Sequence, residues 1–313
     1  MDNYPIRQIA GNPSQDGFAR MLPNICFTDR ANDPLYMQIL QPWSLSDSDG
    51  RERLYPTLVF VQGSAWTFPD VYFELPQLSQ LARQGYVVAT ITHRNSEDGH
   101  RAPAYLEDVK TAIRFLRAHA KSLHIDPERL GIWGTSSGAN AALLVGLTGD
   151  DPKYKTKEWA EESDSVNYVI DCFGPADTVH LLESLEKTLQ EIKVSLSCLS
   201  AENQQIQKQI LAALQTDMQN FVGLPDGSMD LELVREMSPM HRIEPGKTYP
   251  PVLILHGDQD EEVAFDQSLN LYKAFVDHGT KAEMIAVTGG NHEAGFWSQE
   301  VLTAIGDFIA RYS

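Results

Sequence analysis

In the stretch RLGIWGTSSGANAALL, residues 129–144, Ser136 stands between Gly134 and Gly138, just after an apolar run and just before an alanine-rich one. A serine hydroxyl becomes a useful nucleophile only when a base takes its proton and a third group holds that base. Of the nine histidines, His278 and His292 lie well downstream of Ser136 and after a plausible acid. His278 ends a helical pattern in VDHGT, where a cation serves the last carbonyls. His292 sits in VTGGNHEAGF, a loop position with little core-packing rationale, and is the expected base. The acid should follow the run PVLILHG. Asp258 and Asp260, in HGDQDEEV, both qualify, and either is also placed to cap a helix starting near Glu262.

Gly134-Thr135-Ser136-Ser137-Gly138 matches G-x-S-x-G, a motif whose test is its setting between a strand and a helix. There the chain turns so sharply that the serine is strained and its hydroxyl projects outward, while side chains on the flanking glycines would collide with neighbouring backbone. The helix start also favours negative charge. An ordinary Gly/Ser turn is the plainer alternative. A phosphate loop is disfavoured because G-x-x-x-x-G-K-[ST] is absent. Attack on a carbonyl builds an oxyanion that needs fixed N–H donors. The amide of Ser137 is one expected donor, and the small residues of Gln62-Gly63-Ser64-Ala65-Trp66 let a second stretch of backbone approach.

These residues need a scaffold, and the sequence provides one. The runs TLVFVQG (57–63), YVVATITH (86–93), RLGIWG (129–134), NYVIDCFG (167–174), PVLILHG (251–257) and AEMIAVTG (282–289) read as buried parallel strands. Helical patterns lie between them at about 74–84, 104–123, 138–148, 262–278 and 296–311. In the second, Leu106, Val109, Ile113, Leu116, Ala120 and Leu123 form one apolar stripe. NICFTD and LYMQILQP around RANDP read as an antiparallel hairpin at the sheet edge. The fold class is therefore α/β, with a mostly parallel, doubly wound sheet in a single domain over 1–313. From about 176 to 248 no strand-like run appears, and Leu182, Leu185, Leu189, Ile192, Leu196 and Leu199 recur at helical spacing. This is the pattern of a helical cap packing on its own domain and placed to cover a site.

The 43 acidic residues outnumber the 25 basic ones, for a formal charge of -18, so nucleic acid and anionic membrane are poor partners. No apolar run is long enough to span a bilayer, and the amino terminus lacks the pattern of a signal peptide; a soluble, cytoplasmic protein is expected. A homo-oligomer is compatible with these features. Cys26, Cys172 and Cys198 are odd in number and widely spaced, which suggests buried apolar roles rather than disulfides or zinc.

Taken together, the chain resembles the α/β-hydrolases, and within them carboxylesterases related to the hormone-sensitive-lipase group and to bacterial feruloyl and acetyl-xylan esterases. The resemblance spans about 24–175 and 249–312. Its most specific stretch runs from ITHRNSEDGHRAPAYLEDV to D-P-x-R-[IL]-G-[IV]-x-G-x-S-[AS]-G, here DPERLGIWGTSSG. The resemblance implies Ser136 as nucleophile and His292 as base. It implies Asp260 as acid, through the family's H-G-x-x-D-x-x-V at His256 to Val263. Gln62 to Trp66 align with the family's H-G-G-G-W, so Gln62 replaces the histidine and Ser64 and Ala65 replace glycines. The oxyanion donors implied are the amides of Ser64, Ala65 and Ser137.

The activity implied is hydrolysis of short-acyl or phenolic (feruloyl-type) esters through an acyl-enzyme, with no metal or cofactor. Trp66, Phe68 and Phe173 follow strand ends and are candidates to line the pocket, or to be core. An amidase or peptidase of the same fold, formamidase-like or prolyl-oligopeptidase-like, is the alternative enzyme; a noncatalytic ligand-binding relative is the alternative of another class.

Overall fold

The computed structural model describes residues 7–13, 15–28, 30, 32–47, 49–184 and 201–313, with backbone alone at 201–204 and 206–211. The strands are β1 (Ala19–Cys26), β2 (Tyr36–Pro42), β3 (Tyr55–Val61), β4 (Val87–Ile91), β5 (Ile125–Thr135), β6 (Val169–Cys172), β7 (Val252–Gly257) and β8 (Ala282–Val287). They form an eight-stranded sheet in the order β1-β2-β4-β3-β5-β6-β7-β8. β1 and β2 pair antiparallel, as do β2 and β4, and every pairing from β4 to β8 is parallel. The antiparallel edge is the expected hairpin with its first strand at Ala19–Cys26 rather than starting at Asn24, and the other expected strands are present, β8 as a partly exposed edge strand rather than a buried one.

Alternation along the strands divides the core into two layers. Val59 and Val61 face one layer, with α2 (Ala104–Ala118), α3 (Ser137–Leu147) and α6 (Phe265–His278) packed on it. Leu58 and Phe60 face the other, under α1 (Leu75–Arg83) and α7 (Gln299–Tyr312). Strands apolar on both faces are what a sheet covered by helices on both sides requires.

The helix α2 departs from the simple amphipathic stripe. It ends at Ala118 rather than near Leu123, because the chain turns to enter β5, with Ile125 N–H donating to Ala120 O at 2.8 Å. Its polar residues are buried too. Lys110 Nζ lies 2.6 Å and Arg114 Nη1 2.8 Å from the two oxygens of Asp164, with all three side chains fully buried. The segment after α3 covers that flank, and charge pairing makes the burial tolerable.

Between β6 and β7 lie α4 (Ala201–Val222), α5 (Leu231–Glu236) and a one-turn 3-10 helix (Pro239–Arg242). Met218, Phe221, Val222, Val234 and Met237 are buried in the layer that holds α2 and α3. Leu182 is buried as well; Leu185, Leu189, Ile192, Leu196, Leu199 and Cys198 lie outside the described residues. Cys172 is buried as expected, but Cys26 is exposed, because it ends the edge strand on its solvent side. Among the described residues no helix is long and apolar enough to cross a membrane.

Candidate active site

β5 runs straight into the turn that carries Ser136. Thr135 is its last residue and Ser137 opens α3, leaving Ser136 alone between them with φ 49° and ψ −125°. A left-handed φ on a residue with a side chain is costly and persists only where its surroundings enforce it. Here Ser136 N–H donates to Cys172 O on the neighbouring strand at 3.0 Å. The glycines are needed for space: a Cβ on Gly134 would meet Gly138 O at 2.1 Å, and one on Gly138 would meet Val61 O at 2.1 Å.

His292 comes from the loop between β8 and α7, and its Nε2 stands 3.0 Å from Ser136 Oγ. Its Nδ1–H donates to Asp260 Oδ2 at 2.8 Å. Asp260 is held in turn from both sides. Oδ1 accepts the Glu262 and Val263 amides at 2.9 and 2.8 Å, and His256 Nε2 approaches Oδ2 to 3.2 Å. Burial pushes the Asp260 carboxyl up, but the hydrogen bonds from His256 and His292 and the nearby imidazole charge outweigh it. The group is held well below the usual carboxylate range. Burial works against the charged form of His292, yet the bond to and charge of Asp260, with Glu262 and Glu293, raise its pKa above the ordinary value.

Of the two acids left open by the residues alone, Asp260 reaches His292. Asp258 instead accepts the Gly289 amide at 2.7 Å. His278 is remote from Ser136's partners: its ring bonds Glu244 O and Thr280 Oγ1. It therefore ties down a neighbouring segment rather than its own helix's last carbonyls.

The loop after β3 rides on the turn residue by residue. Gly63 N–H donates to Thr135 Oγ1 and Ser64 N–H to Ser137 Oγ, both at 2.9 Å. Ala65 and Trp66 follow with φ 49° and 61°. Among the described residues neither the Ala65 nor the Ser137 amide has a protein acceptor. The Ser64 amide is different. It is already engaged by the Ser137 hydroxyl, so it is not the free donor that the three-glycine pattern implies.

The aromatic residues expected to line a pocket divide. Phe68 is exposed. Phe173 is fully buried beneath the imidazole, ring centroids 4.7 Å apart and edge-on, with φ 46°; it supports His292 and has no surface to offer a substrate. Trp66 is buried and stacked on Phe221 of α4 at 4.1 Å, so that helix, not a ligand, covers the indole. Acidic groups crowd the rim. Glu262 Oε2 lies 3.8 Å from His292 Nε2, and Glu74 is pushed up to about 7, first by burial and then by the charge of Glu293. Among the described residues no group of three His, Cys, Asp or Glu side chains is arranged to hold a metal ion.

The family described as BD-FAE matches residues 45–275. The chain belongs to the BD-FAE family. The match includes Ser136 and Asp260 and stops before His292. Esterase LipC of Mycobacterium tuberculosis (strain ATCC 25618 / H37Rv) is 29% identical over 241 residues, which is 74% of this chain and 50% of that protein. The chain thus spans about half the length of the curated relatives it matches. Among solved structures, a truncated form of a carbohydrate esterase from gut microbiota superposes with a TM-score of 0.73 at 24% identity, over 96% of this chain and 99% of that one. A bifunctional GH43-CE protein of Bacteroides eggerthii gives 0.70 at 26% identity, over 96% and 39%. This BD-FAE member therefore has the α/β-hydrolase fold.

Sequence reasoning missed two residues that the geometry brings in. His256 is the second imidazole on Asp260, and in the sequence it stands out only as the first residue of H-G-x-x-D-x-x-V. Asn140, fully buried in α3, bonds Pro175 O at 2.9 Å and Met237 O at 3.1 Å, accepts from Tyr105 Oη, and has Trp66 Nε1 at 3.5 Å. The signal was available: it is the one amide in the apolar run ANAALL, and a buried polar group requires partners.

Proposed function

We propose that this protein is a serine carboxylesterase, with Ser136 as nucleophile, His292 as base and Asp260 as the acid that orients it. The observation that carries the reading is the continuous path Oγ–Nε2, Nδ1–Oδ2, at 3.0 and 2.8 Å, ending on a strained serine. Ser136 attacks the ester carbonyl as its proton passes to Nε2, and the carbonyl π electrons move onto oxygen. The amides of Ala65 and Ser137 hold that oxyanion. Collapse expels the alcohol, which takes the proton from His292. Water, activated by the same imidazole, then attacks the acyl-enzyme and releases the acid. Every atom in this scheme comes from the protein, the ester and water.

The chain is a single α/β domain with a cap between β6 and β7, and the stacking of Phe221 on Trp66 seats α4 against the oxyanion loop. Short-acyl and phenolic esters, including sugar-borne ones, are the substrates this reading favours. Exposed Phe68, Tyr72 and Phe73 near that loop suit flat or sugar-like groups. The free thiols Cys26 and Cys172 fit a reducing, cytoplasmic setting.

Turnover of acetyl, butyryl, octanoyl and feruloyl esters should fall about 10^4- to 10^6-fold in Ser136→Ala with unchanged circular dichroism. Near-full turnover by that variant would refute the assignment.

A further inference from the structure

The Ser64 amide points at Ser137 Oγ, 2.9 Å away. In the arrangement that the esterase reading implies, that N–H points instead at the oxyanion. The hydroxyl therefore takes up the N–H that this reading assigns to the oxyanion. We propose that Ser137 is itself a catalytic residue, handing the Ser64 hydrogen bond on to the substrate oxyanion through its own O–H. This inference rests on the esterase reading given above.

Three features support it. A serine hydroxyl accepts two hydrogen bonds and donates one, so accepting from Ser64 leaves its proton unspent. The residue is 2% exposed, and among the described residues its hydroxyl has no protein acceptor; buried hydroxyl protons seldom go unpaired. The acceptor that the reaction itself delivers is the carbonyl oxygen, whose charge appears as Ser136 Oγ bonds to the carbonyl carbon. No proton leaves Ser137 in this step; its O–H only donates a hydrogen bond. Because Ser64 N–H already polarises the oxygen, the donated bond is stronger than that of an isolated hydroxyl. The equivalent tie on the other side of the turn, Gly63 N–H to Thr135 Oγ1, leads back into the end of β5 and its neighbour β6. Only the Ser137 side belongs to the donor set.

The test is Ser137→Ala, read with an activated ester and with a trifluoromethyl ketone, whose hemiketal carries the oxyanion. Loss of about 10^2-fold in kcat, KM changed less than threefold, and a similar weakening of the ketone support the proposal. Ser137→Cys, which keeps a weak donor, should fall between wild type and Ser137→Ala, and it provides the reading if Ser137→Ala does not fold. A folded Ser137→Ala or Ser137→Cys that matches or exceeds wild type overturns the proposal, since the hydroxyl then merely obstructs the Ser64 amide. Such a result would leave the esterase reading intact. Absence of Ser136-dependent turnover in the wild type would sink both.

Discussion

Replacing Asp260 by Asn removes one charge and changes one atom, and the structure dictates how the carboxamide must lie. Oδ1 accepts two backbone amides, from Glu262 and Val263, so in the variant the amide oxygen is pinned there. The NH2 group is then forced into the Oδ2 position, 2.8 Å from His292 Nδ1. A donor in that place selects the imidazole tautomer that carries its proton on Nε2. That nitrogen faces Ser136 Oγ at 3.0 Å and can no longer accept its proton. His256 Nε2, 3.2 Å from Oδ2 and bonded to Val263 O, also meets a donor where it had an acceptor. The same swap in a serine-protease triad costs about 10^4 in kcat, equivalent to roughly 5 kcal/mol of barrier.

The pH profile provides a second signature. Wild-type kcat/KM for a p-nitrophenyl ester should fall as pH drops through the raised pKa of His292, since only the neutral imidazole can act as base. With the carboxylate charge gone, the residual activity of Asp260→Asn should keep its limb to lower pH. The assay is kcat/KM from pH 5 to 9 for both proteins. Activity within tenfold of wild type, or a limb that does not move, would refute the tautomer reasoning.

Two further outcomes test the scaffold. Asp164→Ala leaves Lys110 and Arg114 buried without their carboxylate and should cost about 3–5 kcal/mol in urea unfolding; a loss below about 1 kcal/mol would mean that water or another group replaces it. Asp171 on β6 is fully buried, with Oδ1 accepting Gly174 N–H and Oδ2 unpartnered among the described residues, and burial pushes its carboxyl up to about 7. Because the folded protein binds that proton more tightly than the unfolded chain, its stability falls as pH rises towards about 7 and levels off beyond. Asp171→Asn cannot ionise, so its stability relative to wild type should grow across that window; a difference that stays flat with pH would contradict the buried carboxyl.

What the sequence made legible was whatever depends on short-range pattern. Continuous apolar runs marked both-faced strands, and G-x-S-x-G between a run and a helix placed Ser136. His292 stood out because a loop histidine beside glycines has no packing reason to be there. The choice between Asp258 and Asp260 was not legible from spacing. It turns on which carboxylate the loop after β7 aims at His292, and only the family resemblance separated them beforehand. Trp66 and Phe173 illustrate a second limit. Aromatic residues after strand ends look alike in sequence, whereas their exposure is set by what arrives from elsewhere: Phe221 over the indole, the imidazole over the phenyl ring. The Ser137–Ser64 bond was hidden for the same reason, because it joins two loops through a hydroxyl that reads as a small spacer.

Ala65, Trp66, Ser136, Phe173 and Glu293 all carry side chains on left-handed backbone, and all gather where the loops leave the parallel strands. Each of these positions would relax if it were glycine, so a rigid interior is holding a tense rim in place. A directed-evolution campaign scored on heat tolerance alone would find its quickest gains on that rim and shed turnover with them. One scored on turnover would have to look for its heat tolerance in the helices of the two flanking layers.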